Sequence, residues 1–181
     1  MWSSAPQRST LNPQPEMTGW IGVSLGDITG IGPEVTLKAL ALEAKADNTR
    51  YLLIGDAEHA RHLNEQLGLK LFLQTYADKD EPGQIFLCQP QPDALPEDLL
   101  EGSPAAARAA VAWVQEGAER CLRGQLDALV TAPVNKEAVV RAGQAFVGQT
   151  ELLSQFAGTD RTAMMLLGQD ERGRCLRVAL A

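Results

Sequence analysis

The residues able to do chemistry fall in two short clusters. Asn135 and Lys136 follow directly on Thr131-Ala132-Pro133, and Gln149 and Thr150 stand side by side a short helix later. An ammonium, two side-chain amides and a hydroxyl form a donor-rich set: the lysine supplies charge and the other groups fix orientation. That set suits a small anionic molecule. A third cluster, Gly26-Asp27-Ile28-Thr29-Gly30-Ile31-Gly32, adds backbone N–H groups and the carboxylate of Asp27. Each group also has a purely structural reading. Lys136 can be a solvated surface lysine, Thr150 a helix cap, and Asp27 the side chain that shapes a turn. The glycines can bring backbone close to a ligand at a helix amino terminus, or simply allow positive φ in a tight turn.

These clusters need strands and helices to aim them. Trp20 to Leu25 predicts a short apolar strand, and Pro33 after the glycine loop predicts the first turn of a helix running to about Ala44. Arg50 to Gly55 reads as the next strand, with Asp56 as the cap of a helix that stops at Gly68. Leu69 to Thr75 alternates like a strand, and Gln84 to Cys88 is another short one. Gln89 to Gly102, with three prolines, reads as a long exposed connection and a subdomain boundary. Ser103-Pro104 opens a helix whose apolar stripe runs from Ala106 to Leu122, with Gly124 as its stop. Asp127 to Thr131 reads as a buried strand carrying the Pro133–Lys136 loop at its carboxyl end, which is where open parallel sheets bind ligands. Thr150 is expected to cap a helix reaching Phe156. Ala163 to Leu167 and Cys175 to Ala181 read as two strands joined by a charged turn, with the Met164-Met165 pair as core filler.

Alternating strands and helices predict an α/β fold: a mainly parallel sheet with helices on both faces. Residues 1–17, rich in Pro, Ser, Gln and Asn, are expected to be a disordered lead-in, and residues 18–181 the α/β portion. Because the chain ends within an apolar strand, it is expected to be the front part of a longer protein.

Composition narrows the function classes. A net charge of −7 argues against nucleic acid, whose binders present basic faces. No apolar run reaches the ~18 residues of a membrane span, and the first residues lack the apolar core of a secretion signal. A cytoplasmic location is the expectation. Cys88, Cys121 and Cys175, far apart and without a CxxC pair, are expected to be reduced thiols buried as small hydrophobes. His59 and His62, three apart on a helix, lack further ligands nearby in sequence and read as an exposed helix face. The glycine loop matches neither the dinucleotide fingerprint, since Val35 stands where the third glycine belongs, nor a Walker loop, since no Gly-Lys-Ser/Thr closes it.

Taken in order, the glycine loop with Pro33-Glu34, the block Thr131-Ala132-Pro133-Val134-Asn135-Lys136, then Gly143, Phe146, Gly148, Thr150-Glu151, Met164-Met165-Leu166 and Arg177-Val178-Ala179-Leu180 closely resemble the amino-terminal half of the 4-hydroxythreonine-4-phosphate dehydrogenase family. The resemblance runs from about Trp20 to Ala181. It implies two α/β subdomains in an isocitrate/isopropylmalate-dehydrogenase-like arrangement, here truncated, and a homodimer whose active site is closed by the partner subunit. It implies an oxidoreductase of pyridoxal phosphate (pyridoxine) biosynthesis that uses NAD or NADP and a divalent metal (zinc, magnesium or cobalt) held by three histidines. The implied reaction oxidises 4-phosphooxy-threonine and releases carbon dioxide to give 3-amino-2-oxopropyl phosphate. The resemblance adds a substrate-contact role for Gln149 and Thr150, so that with the residues read above the substrate-binding candidates are Asp27, Asn135, Lys136, Gln149 and Thr150. No metal ligand is expected within this chain, and the 181 residues alone are expected to be inactive. The family pattern has His-Thr where this sequence has Gln149-Thr150. That difference motivates an alternative substrate, either another phosphorylated hydroxy acid or a dihydrodiol acid. A non-catalytic remnant that binds small anions or pairs with a complete subunit is the reading from a different class.

Overall fold

The computed structural model describes residues 19–44 and 48–180; the expected lead-in, residues 1–17, lies outside them. β1 (Trp20–Ser24) leads into α1 (Gly32–Glu43), followed by β2 (Arg50–Ile54), α2 (Ala57–Gln66), β3 (Leu73–Thr75) and β4 (Ile85–Cys88). Then come α3 (Pro104–Leu122), β5 (Ala128–Thr131), α4 (Lys136–Arg141), α5 (Gln149–Ala157), β6 (Met164–Gln169) and β7 (Cys175–Leu180). The first five strands form one parallel sheet in the order β3-β4-β2-β1-β5. The α/β class read from the sequence is the one observed.

Right-handed crossovers account for the layers. The chain steps from β1 through α1 to β2 in one direction across the sheet. It returns through α3 from β4 to β5, so α3 lies on the opposite face. Close approach on that face depends on Gly117: a Cβ there would meet Leu129 Cδ1 at 2.5 Å and Ile54 Cδ1 at 3.2 Å. α3 is the best-packed helix. Ser103 Oγ caps it by accepting from Ala105 N, and Trp113, Val114 and Ala110 are buried along its stripe. Leu122, assigned to that stripe from spacing, is 61% exposed because the stripe drifts off the sheet in the last turn.

The structure alters several local expectations. β5 is the edge strand of the sheet and is half exposed; Val130 is 52% exposed because α1 does not reach across to it. Only Leu73–Thr75 of the segment 69–75 is strand. Asn64 occupies the backbone before it, donating to the Leu71 carbonyl and accepting from Leu71 N (both 3.1 Å), and this competes with a ladder. The Gln89–Gly102 connection is stitched to the core rather than loose. Leu95 N donates to Asp56 Oδ2 (2.6 Å), Ala57 N to Gln89 Oε1 (3.0 Å), and the Trp113 indole to Gln91 Oε1 (2.6 Å). Cys88 and Cys121 are only partly buried and Cys175 is exposed, so burial as small hydrophobes does not hold; all three are free.

β6 and β7 form a separate antiparallel hairpin in which every residue is exposed. Met164 and Met165, expected in a core, are 43% and 58% exposed, since the hairpin stands off the five-stranded sheet.

Candidate functional site

The site lies where the sheet reverses its order. β1 has β2 on one side and β5 on the other, with their crossover helices on opposite faces. The carboxyl ends of β1 and β5 therefore lie side by side at a topological switch point, the usual ligand position in such sheets. The chains leaving them do not splay apart into an open crevice. Ala132 N donates to the Ser24 carbonyl (3.1 Å) and Asp27 N to the Pro133 carbonyl (3.0 Å).

Two glycines make that seam possible. Gly26 has φ +70°, and a Cβ on it would lie 2.3 Å from the Pro133 oxygen. A Cβ on Gly32 would meet the Leu25 carbonyl at 2.5 Å and Ala132 Cβ at 3.4 Å. The glycine loop packs its backbone against the Ala132 and Pro133 carbonyls, as the structural one of its two readings requires.

Asp27 is buried, and its Oδ1 accepts from both Thr29 N (2.9 Å) and Thr29 Oγ1 (2.7 Å). It builds the turn. Thr29 Oγ1 in turn accepts from Gly102 N (3.2 Å), which brings the start of α3 to the same place. Asn135 caps α4, its Oδ1 accepting from Ala138 N (3.0 Å). Its Nδ2 lies 3.7 Å from where a Gly102 Cβ would sit, and the Arg141 guanidinium comes within 2.8 Å of the same point. Thr29, Gly102, Asn135 and Arg141 thus gather around one position. Arg141 escaped the sequence reading because it is the last residue of a short helix, where a cation is ordinary.

Lys136, the first residue of α4, is exposed; neither it nor Arg141 forms an ion pair among the described residues. Gln149 reaches back to the same loop, its Nε2 donating to the Ala132 carbonyl (3.1 Å). Thr150 does not cap α5. The cap position belongs to Gly148, and Glu151 folds back to it, with Oε2 2.6 Å from where a Gly148 Cβ would be. Thr150 is the second residue of α5, half-buried, with its carbonyl accepting from Ser154 Oγ. Asp27, Asn135 and Gln149 are therefore joined through the successive carbonyls of Ala132 and Pro133 and through Gly102, with Lys136 and Thr150 on the adjoining first turns of α4 and α5. Among the described residues the arrangement offers a lysine and an arginine without carboxylate partners, which suits a phosphate or carboxylate group.

A cavity of about 360 Å³ opens on the far side of Thr29, between α2 and residues 94–99. Its lining holds Glu58, Glu97, His59 and His62 but no lysine or arginine, so it suits a phosphorylated acid poorly. His59 is half-buried rather than exposed, and burial holds its pKa below the usual 6.5, with His62 adding to the fall and Asp56 opposing it. The folded state resists the imidazolium, so stability is full above about pH 6.5 and declines as pH falls from there toward the folded pKa. Urea midpoints measured between about pH 7 and pH 5 should show that decline, and His59→Gln should flatten the part due to this group. Among the described residues no three His, Cys, Asp or Glu side chains converge to hold a metal.

Comparisons with known proteins place the chain among relatives. A family model described as pyridoxal phosphate biosynthetic protein PdxA matches residues 47–181. A 4-hydroxythreonine-4-phosphate dehydrogenase of Desulfosudis oleivorans is 37% identical over 169 residues, which is 87% of this chain and 47% of the relative. A D-threonate 4-phosphate dehydrogenase of Cupriavidus necator is 35% identical, covering 81% of this chain and 45% of its own length. The crystal structure of a 4-hydroxythreonine-4-phosphate dehydrogenase from Burkholderia phymatum superposes with a TM-score of 0.72 at 34% identity, over 83% of this chain and 47% of that one. The chain spans about half the length of the relatives it matches.

Proposed function

Because the chain belongs to the PdxA family of pyridoxal phosphate biosynthetic proteins, we propose that it contributes the phosphate-binding side of an NAD- or NADP-dependent dehydrogenase acting on 4-phosphooxy-threonine. The observation that carries this reading is the seam at the switch point. Asp27 N to Pro133 and Gln149 to Ala132 bring three separate motifs to the end of one strand pair. Lys136 and Arg141 supply charge to the phosphate, while Thr150 Oγ1 and the Asn135 amide orient it. A bound nicotinamide would supply the hydride acceptor in such an enzyme. The described residues offer no ligand set for a divalent metal. A homodimer in the cytoplasm belongs to the same proposal.

A second reading, oxidation of D-threonate 4-phosphate, is favoured by the Cupriavidus necator relative. Both substrates carry the phosphate, so both use the same shelf.

Titrating the chain with 4-phosphooxy-threonine and with its unphosphorylated form, followed by protein NMR, tests the proposal. The phosphorylated compound should bind at least roughly tenfold tighter, about one charge-assisted contact. Lys136→Ala should remove most of that advantage without changing the affinity of the unphosphorylated form. Equal affinities for the two compounds would rule out a phosphate shelf.

A further inference from the structure

α5 packs along α3 without burying any of its residues fully. Its apolar anchor is the partly buried Leu152 against the cluster of Ala107, Val111, Ala138, Val139 and Phe146. Its amino end meets the β5–α4 loop through the side chain of Gln149. A carbonyl oxygen only accepts, so the Gln149 amide must point its nitrogen at Ala132 and its oxygen away. The carbonyl it grips belongs to the peptide whose other neighbours are already held, with Ala132 N on Ser24 and the Pro133 carbonyl on Asp27 N.

Resting on the phosphate-shelf reading, we infer that Gln149 is a positioning residue: its amide N–H ties the first turn of α5, and with it Thr150, to the loop carrying Asn135 and Lys136. That tie does not itself depend on pH, because an amide does not titrate. A carboxylate at this position would set two acceptors against each other until it took up a proton.

Sulfate, which keeps its charge throughout the working range, is the probe, read by calorimetry on the full 181-residue chain. Gln149→Met, similar in length and without a donor, should weaken sulfate by roughly fivefold at about pH 7.5. Gln149→Glu should weaken it at least as much there, and recover toward the unsubstituted chain near pH 4, where a protonated carboxyl can donate to Ala132. In ligand-free protein, amide exchange from Leu152 onward in α5, the first amide there with a backbone acceptor (Gly148), should quicken in Gln149→Met while exchange in α3 stays unchanged. If both variants bind sulfate as the unsubstituted chain does, the inference fails and the shelf stands. If affinity falls but the ligand-free α5 amides do not change, Gln149 touches the anion directly and the positioning role is wrong. If the unsubstituted chain binds no sulfate, the shelf itself is wrong and the inference falls with it.

Discussion

Replacing Gly26 with alanine should destabilise the fold by roughly 2–5 kcal/mol and abolish anion binding with it. Two effects add. At φ +70° a side chain costs about 1–2 kcal/mol in the left-handed region. The new Cβ would also sit 2.3 Å from the Pro133 carbonyl oxygen, which is backbone and can move only with the strand end behind it. Forcing that shift costs about another 1–3 kcal/mol and breaks the bond from Asp27 N. Gly68 supplies the control. It has φ +63°, and a Cβ there meets nothing within 4 Å. Gly68→Ala should therefore cost only about 1–2 kcal/mol. Urea midpoints of the two variants separate the steric clash from the backbone strain. Equal losses at the two positions would mean that the β1–α1 turn and the β5–α4 loop do not press on each other as described.

Trp113→Ala should be the most damaging change away from the site, at about 3–5 kcal/mol. The ring is fully buried at the centre of α3 and belongs to the main core cluster with Leu52, Ile54 and Phe86. Its indole N–H also donates to Gln91 Oε1 at 2.6 Å, one of the bonds holding the 89–102 connection down. Truncation leaves a cavity and frees Gln91 together. Trp113→Phe keeps most of the packing and loses the bond, so its cost should be nearer 1–2 kcal/mol. Thermal melts of the two variants check the ranking, and protease nicking within 89–102 should increase in both. An alanine variant no worse than the phenylalanine one would show that the ring does not fill the core as described.

Much of the fold was legible because its signals are local. Asp56 and Ser103 announce helix starts, and each does accept from a backbone N–H in its first turn. Gly68, Gly124, Gly143 and Gly158 announce stops and take positive φ there. The Pro133–Lys136 loop at a strand end and the polar pair at 149–150 were legible as a candidate site for the same reason. What the glycine loop was for could not be read from Gly26 and Gly32 themselves: a ligand and a neighbouring carbonyl make the same demand for a missing side chain. Nor did Asp27 reveal that its carboxylate turns inward, or Arg141 that it turns toward Gly102.

By itself, then, the sequence determined the alternation of strands and helices, most of the helix ends, and the residues gathered at the carboxyl edge of the sheet, because caps, stops and apolar spacing act within a few residues. Only the tertiary structure decided that β5 is an edge, that the methionine hairpin stands exposed, that Gly148 rather than Thr150 begins α5, and that Gln149 holds Ala132. Those outcomes depend on which backbone lies across the sheet from which, and no local pattern encodes a neighbour that is distant along the chain.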